Sequence, residues 1–239
     1  INMDLVCSMQ RLPAPGETLR GSEFFTAPGG KGANQAAACA RLETAVSMIG
    51  RVGQDVFGGT LRDGLRELGV DTGAVVSTPG PSGVAVIAVD ERGENSIVII
   101  PGANGKIGTD DLERLKTTLP GADSLLLQLE IPLRSVTAAG RLARSCAVRV
   151  ILDPAPFSPL PDDLYSLIDI ITPNETECAP LVGFAGTDIP QAEQAAQVLL
   201  QRGLKQVIIK LGARGAYLHD GKAGELVPGF PVNAVDTTA

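Results

Sequence analysis

The sequence has 239 residues, of which 44% are hydrophobic and 20% are charged, with a formal net charge of −7. This charge argues against a nucleic-acid partner, because binding to a phosphate backbone needs a basic face. No apolar run approaches the roughly 18 residues of a membrane-spanning helix, so no membrane association is expected. The composition is typical of an ordinary soluble globular protein, and local dipoles could still bind a small ligand, including an anionic one.

The cysteines predict a reducing compartment. Cys7, Cys39, Cys146 and Cys178 lie far apart and form no C-x-x-C pair, which favours reduced cytoplasmic thiols over a disulfide framework or a zinc site. The only histidine, His219, lies in "YLHDGKAG", which predicts a hairpin with an exposed turn histidine. A Ser-His-Asp mechanism therefore has no candidate base.

The first third of the chain predicts strands joined by short turns, at 17–27, 73–78, 83–90 and 94–100. "DERGEN" is a predicted hairpin turn between the last two strands, and helices are expected after the glycine run and over 56–68. These strands are antiparallel in character. We therefore expect a small β-sheet lid, formed by strands within roughly 6–28 and 74–102 and inserted into an α/β frame.

From about Asp110 onward, helices alternate with apolar strands. Helices are predicted over 109–119, 133–145, 175–182 and 189–202, and the strands are "DSLLLQL", "VRVILDP", "IDIITP" and "QVIIKLG". Apolar strands without polar alternation, separated by helices, favour a mainly parallel sheet covered by helices on both faces. The sequence thus predicts one doubly wound α/β domain over residues 1–239.

The run "PGGKGANQ" predicts a glycine loop that enters a helix. It is not a Walker motif, because Gly32 follows Lys31, and it lacks the last glycine of the dinucleotide fingerprint. Backbone N–H groups at the helix start, together with Lys31 and Asn34, are suited to bind polar oxygens. The alternative is that the glycines only permit a tight turn.

Two further sites place polar side chains at strand ends. Asn2 and Asp4 lie on the same side of a predicted strand end, where a carboxylate can accept hydrogen bonds from polyol hydroxyls. Glu130 ends the buried strand "LLLQLE", and ligands of open α/β sheets bind at such ends. Taken alone, Asp4 could equally be a turn or cap residue, and the function of Glu130 stays open.

Six blocks in this order, "GGKGANQA", "QLEIP", "LDPAP", "DIITPNETE", "IKLGARG" and "AVDTTA", resemble the ribokinase family of carbohydrate kinases over the whole chain. The combination of "KGANQ" with "PNETE" favours this family over fructokinases and adenosine kinase. The resemblance implies a ribokinase-like fold with a lid and ATP-dependent transfer of phosphate to the 5-hydroxyl of D-ribose.

The resemblance also assigns the site residues. It implies sugar contacts from Asn2, Met3, Asp4, Gly30, Lys31, Gly32, Ala33, Asn34 and Glu130. It implies ATP contacts from Asn174, Glu177, Lys210, Leu211, Gly212, Ala213, Arg214 and Gly215, with Glu177 ordering Mg²⁺ and its waters. Asp236 and Thr238 would bind a monovalent cation, K⁺ in many relatives.

The resemblance further implies a homodimer through the lid strands around 17–27 and 83–100. In the family, a glycine and the catalytic aspartate follow "DTT", and both would lie after Ala239. We therefore expect that the chain is incomplete at both ends and nearly inactive alone. The alternatives are a kinase for another pentose, deoxyribose or a nucleoside, and a non-catalytic ribose-binding module.

Overall fold

The structure, a computed structural model, describes residues 1–184, 186 and 188–231. The chain divides into two compact units, the first covering Ile1–Arg114 and the second beginning at Leu115. The predicted cation ligands Asp236 and Thr238 lie outside the described residues.

The first unit is built mainly from strands. Its elements are β1 (Asn2–Met9), β2 (Gly21–Gly29), α1 (Lys31–Arg41), β3 (Gly50–Gly53), α2 (Gly58–Glu67), β4 (Val75–Thr78), β5 (Gly83–Asp90), β6 (Asn95–Ile100) and the start of α3 (Thr109–Thr118). A short 3-10 helix at Gly102–Lys106 precedes α3.

The predicted small sheet is present, with strand order β2-β1-β5-β6. Two details differ from the expectation. Strand β1 pairs with β5 in parallel, although its other neighbour β2 and the β5–β6 hairpin are antiparallel. Strand β4, expected among the lid strands, pairs instead with β3 in a separate two-stranded parallel sheet. An apolar run predicts a strand but not its partner, and β3, with its two glycines, carries too weak a pattern to be recognised.

The core of the first unit fixes the orientation of β1. Met3 packs in a buried cluster with Ala33 of α1, Val52 of β3 and Leu61 of α2. Because side chains alternate along a strand, Asn2 and Asp4 lie on the opposite face of β1 from Met3. Packing of the helices therefore determines which side chains β1 offers for binding.

The second unit carries the alternation predicted from the sequence. Its elements are β7 (Ser124–Leu127), α4 (Leu133–Ser145), β8 (Arg149–Leu152), α5 (Asp162–Tyr165), β9 (Ile170–Ile171), α6 (Glu175–Val182), α7 (Ile189–Gln201), β10 (Gln206–Lys210), β11 (Ala216–His219) and β12 (Gly224–Val227). The sheet has the order β12-β11-β10-β9-β8-β7. Strands β7 to β10 are parallel, and β11 and β12 are added antiparallel. The mainly parallel sheet is therefore confirmed.

Local signals explain where the helices of this unit begin. Asn174 and Glu177 form a reciprocal capping box at the start of α6, and Asp188 caps α7 by accepting a hydrogen bond from Gln191 N at 2.8 Å. Helix α4 packs on β7 and β8, whereas α6 and α7 pack on β10. In the part of the chain that the structure describes, no helix combines the length and the apolar character that a membrane crossing demands.

The expectation of an exposed turn histidine is wrong. The predicted hairpin exists as β11 and β12, but His219 is the last residue of β11 and is only 8% exposed. Its Nδ1 accepts a hydrogen bond from Gly221 N at 3.1 Å, so the buried ring is bonded to the backbone of the turn between β11 and β12.

Asp169 is a buried carboxylate at the amino end of β9. It accepts hydrogen bonds from Val150 N at 2.8 Å and Lys205 Nζ at 2.5 Å, and Arg144 lies 3.5 Å away. Although burial by itself raises the pKa of Asp169, the hydrogen bonds and the two cations outweigh it and hold that pKa below its usual value.

We predict that Asp169→Asn lowers the free energy of unfolding by about 1–3 kcal/mol at neutral pH, because the charged partners are lost. Since the pKa is depressed in the folded state, the contribution of the carboxylate is present above about pH 4 and is lost as the pH falls further. Urea unfolding between pH 7 and pH 2 should show the gap between wild type and variant closing at the acid end. Asp123→Asn, an exposed carboxylate nearby, is the matched control; a gap independent of pH would contradict the assignment.

Candidate functional site

The glycine turn lies directly over the start of β1. Gly30, with a φ of 93°, occupies the N-cap position of α1, and no side chain caps the helix. A Cβ on Gly30 would lie 2.7 Å from Asn2 N, and one on Gly29 would lie within 3.0 Å of the Asp4 carboxylate. Only glycines permit this approach. The structure therefore brings the predicted residues Asn2, Asp4, Gly30 and Lys31 together.

Two predicted sugar-contacting residues turn their side chains away from this place. Met3 is 3% exposed and Ala33 is 6% exposed, and both side chains lie in the core of the first unit. Neither side chain is therefore placed to contact a ligand at the glycine turn. Gly32 and Asn34 lie in the first turn of α1, where Asn34 N donates to Gly30 O at 2.9 Å.

Asn104 belongs to the same cluster and was not recognised in the sequence. It is 3% exposed, and its Nδ2 donates to Asn2 Oδ1 at 2.8 Å and to Ile1 O at 3.0 Å. The signal was the turn sequence "PGANGK" after β6, but residue type alone does not reveal a contact 102 positions away in the chain.

In the second unit, polar side chains follow the carboxyl ends of four adjacent parallel strands. Glu130 comes after β7, Asp153 after β8, Asn174 after β9, and Lys210 ends β10. Lys210 Nζ lies 2.9 Å from Asp153 Oδ1, and Asn174 forms a parallel bridge with Lys210. Asp153 was not singled out from the sequence, although "LDPAP" places it after a buried strand just as "QLE" places Glu130. This edge of the sheet is where open α/β sheets bind ligands.

Asn174 and Glu177 also hold the start of α6. Asn174 Oδ1 accepts from Glu177 N, and Glu177 Oε2 accepts from Asn174 N, both at 2.8 Å. Glu177 is 8% exposed. The capping box uses one oxygen of each side chain, so the Asn174 amide nitrogen and Glu177 Oε1 are not part of it.

The segment Lys210–Gly215 follows the same strand end. Arg214 forms an ion pair with Glu175 of α6, and Leu211 is buried. A Cβ on Gly212 would meet no heavy atom within 4 Å, whereas one on Gly215 would collide with the backbone of 227–229. The glycine at 215 therefore serves the packing of its own chain, Gly212 faces open space, and Ala213 lies beside it in the 3-10 turn.

The charged residues named at this edge are negative in sum. Glu130, Asp153, Glu175 and Glu177 contribute four negative charges, and Lys210 and Arg214 contribute two positive ones. No group of three or more histidine, cysteine or acidic side chains that could hold a metal ion occurs among the described residues. A polyanionic ligand at this edge would thus require additional positive charge.

Cys178 lies next to Glu177 but is not a nucleophile. Burial, with Glu177 and Glu175 nearby, raises the pKa of the Cys178 thiol to about 12, so the thiol stays protonated at neutral pH. Covalent catalysis by this residue is therefore not supported.

A cavity of about 710 Å³ lies at the other edge of the same sheet. Its lining includes Arg144, Asp169 and Lys205 at the amino ends of the strands, and it contains none of the predicted site residues. Three carboxylates, Asp123, Asp169 and Asp220, and three cations, Arg144, Arg149 and Lys205, line this cavity, so its charges balance.

Residues 1–239 match the family described as pfkB family carbohydrate kinase. The chain is 41% identical over 240 residues to a ribokinase from Haemophilus influenzae, covering all of this chain and 78% of that protein. It is 37% identical over 238 residues to a deoxyribokinase from Salmonella typhi, covering 99% of this chain and 78% of that protein.

Among solved structures, an Arabidopsis thaliana ribokinase complexed with ribose and ATP superposes with a TM-score of 0.86 at 36% identity, covering 98% of this chain and 77% of that one. The ribokinase-like α/β fold expected from the sequence is thereby confirmed. With a family match over its whole length and relatives of this similarity, the chain belongs to the pfkB family of carbohydrate kinases.

Proposed function

We propose that this chain carries out ATP-dependent phosphorylation of D-ribose, by direct transfer of the γ-phosphoryl group to the 5-hydroxyl. The observation that carries the proposal is the similarity over the whole chain to ribokinases, including one whose structure contains ribose and ATP. Such transfer depends on positioning and charge neutralisation rather than on a covalent intermediate. The protonated thiol of Cys178 agrees with this route.

The sugar is proposed to bind at the start of β1. Asn2 and Asp4 supply an amide and a carboxylate on one face, and the turn with Gly30, Lys31 and Gly32 supplies backbone N–H groups and a cation. Polyols present both donors and acceptors, which matches this combination. Glu130, which the resemblance also assigns to the sugar, follows β7 of the second unit.

The nucleotide is proposed to bind at the carboxyl ends of β9 and β10. Asn174, Lys210 and the turn Gly212–Arg214 would contact the phosphates, and Gly212 leaves room for a close approach. Mg²⁺ suits this edge, because the protein charges there do not neutralise the negative charge of a polyphosphate. Mg²⁺ commonly binds a few carboxylates together with substrate phosphates and water. Glu177 would contact its waters through Oε1. Bound Mg²⁺ would neutralise phosphate charge, and K⁺ at Asp236 and Thr238 is retained from the resemblance.

We further propose a homodimer of this chain through the sheet β2-β1-β5-β6. Val86 pairs with Val98, so both lie on one face, together with Phe24 and Ile100 by the two-residue period. These side chains are 42%, 62%, 64% and 42% exposed, respectively. Exposed apolar faces on soluble monomers usually mark interaction sites, and β2 and β6 are open sheet edges. A cytoplasmic location is also inferred, supported by four free cysteines.

Asp4→Ala is expected to weaken D-ribose binding by about 1.5–3 kcal/mol, the usual scale for hydrogen bonds to a charged partner, while ATP binding is unchanged. Isothermal titration calorimetry with each ligand separately measures this. Asp110→Ala removes an exposed carboxylate of the same unit and is the control.

If Asp4→Ala weakened the binding of D-ribose and of ATP equally, Asp4 would have a structural role.

The identity of the sugar is tested by an ADP-release assay on the complete protein with D-ribose, 2-deoxyribose and nucleosides. D-Ribose should give the highest kcat/KM. A preference for 2-deoxyribose would favour the function named for the Salmonella relative, and binding without turnover would favour a ribose-binding module.

Asn174→Ser is expected to keep the N-cap of α6 while removing the proposed contact with ATP. Serine still accepts the hydrogen bond from Glu177 N, so the stability should change little, but the amide donor is lost. ATP affinity should fall about tenfold, as expected for a hydrogen bond to a charged group. Asp188→Ser makes the same kind of exchange at the cap of α7 and should leave ATP binding intact. An unchanged ATP affinity in Asn174→Ser would refute the assignment.

Val98→Lys is expected to convert the dimer to a monomer, because it places a charge in the centre of the proposed apolar interface. Size-exclusion chromatography with light scattering at micromolar concentration reads out the mass. Leu42→Lys, which replaces a 79% exposed leucine outside the sheet, should remain dimeric. A monomeric wild type, or a dimeric Val98→Lys variant, would rule out this interface.

A further inference from the structure

Asn104 holds the Asn2 side chain in one orientation. The two amides meet at 2.8 Å, with Asn104 Nδ2 donating to Asn2 Oδ1. Both residues are almost fully buried, at 3% and 1% exposure. Because a buried polar contact of this kind is costly to break, the orientation of Asn2 is well determined.

The direction of this hydrogen bond follows from the backbone. Asn104 Nδ2 also donates to Ile1 O at 3.0 Å, and Asn104 Oδ1 accepts from the Ile1 nitrogen at 3.2 Å. A carbonyl oxygen can only accept, so it fixes which end of the Asn104 amide is the nitrogen. The atom of Asn2 that faces this nitrogen must then be its oxygen.

The packing around Gly83 leaves no room for a side chain between the two amides. A Cβ on Gly83 would lie within 3.0 Å of both Asn2 Oδ1 and Asn104 Nδ2. Gly83 pairs with Asn2 in the parallel β1–β5 ladder, so the two amides meet over a bare backbone.

From these contacts we infer that Asn104 is a positioning residue for sugar recognition, which holds the Asn2 oxygen and leaves the Asn2 amide nitrogen as the donor for a ligand. The Asn2 oxygen is occupied by Asn104, and its nitrogen donates to no residue in the described part of the chain. Asp4, two residues further on the same face, offers carboxylate oxygens, which accept. The pair thus presents a donor and an acceptor about 7 Å apart, measured along the strand.

The inference rests on the proposed function and makes it more specific. A polyol suits the pair, because each hydroxyl can accept from Asn2 or donate to Asp4. A ligand with a carbonyl or carboxylate oxygen in place of the hydroxyl that donates to Asp4 would bring two hydrogen-bond acceptors together. By fixing the Asn2 amide nitrogen as the donor, Asn104 would favour a ligand hydroxyl that accepts at this position, without itself touching the sugar.

A double-mutant cycle on D-ribose affinity tests the inference. Asn104→Ser should raise the Kd for D-ribose about 5–10-fold, because Asn2 becomes free to turn its oxygen toward the ligand. In an Asn2→Ala background, the same substitution should change the Kd less than twofold. ATP affinity should be unaffected throughout. An undiminished effect in the Asn2→Ala background would overturn the positioning role.

Two further variants distinguish a positioning role of Asn104 from a general loss of packing around Asn2. Asn2→Asp still accepts from Asn104 Nδ2 but has lost the donor, so it should fold and bind D-ribose at least about tenfold more weakly. Ser82→Ala removes buried hydrogen bonds to Asp55 and Gly53 N without touching either amide, and its D-ribose Kd should stay near the wild-type value. If Asn2→Asp binds D-ribose like wild type, the donor role is wrong.

The outcomes also distinguish this inference from the proposed function. A wild-type protein that binds no D-ribose refutes the function itself. A wild-type protein that binds D-ribose, combined with an Asn104→Ser variant that binds it equally well, refutes the positioning role alone.

Discussion

The close approach of the glycine turn to the first strand is the constraint on which the arrangement of Asn2 and Asp4 depends. Gly29 and Gly30 lie so near Asn2 and Asp4 that no side chain fits between them. The turn ends in α1, whose Ala33 packs with Met3 in the core. The same packing that buries Met3 therefore leaves Asn2 and Asp4 on the other face, next to the backbone of the turn and Lys31.

In the second unit, four parallel strands end side by side, and each ends in or is followed by a polar residue. Lys210 and Arg214 each form an ion pair with a carboxylate, Asp153 and Glu175 respectively. Because the carboxylates named at this edge outnumber the cations by two, a nucleotide bound here would depend on a metal ion for neutralisation. This division suits a reaction driven by positioning and electrostatics.

Features set by the local sequence could be predicted, whereas contacts between residues distant in the sequence could not. The alternation of apolar strands and helices after Asp110 was sufficient to predict the parallel sheet, since each element depends on local periodicity. Pairing was harder: β1 lies beside β5 in parallel, and β4 joins β3, because nothing local specifies a partner. Asn104 and Asp153 were missed since their roles arise from contacts distant in sequence. His219 was assigned to an exposed turn because a hairpin histidine carries no sequence signal for burial.

Recognition of the sugar, as inferred above, depends on a hydrogen bond that Asn2 donates from a fixed orientation. Side-chain amide NMR signals of ¹⁵N-labelled asparagine, assigned with the Asn2→Asp variant, test it most directly. Titration with D-ribose should move the Asn2 signal until saturation, at the concentration where calorimetry places the Kd, while the signal of exposed Asn95 stays in place. Saturable binding of D-ribose with an unmoved Asn2 signal would contradict the account.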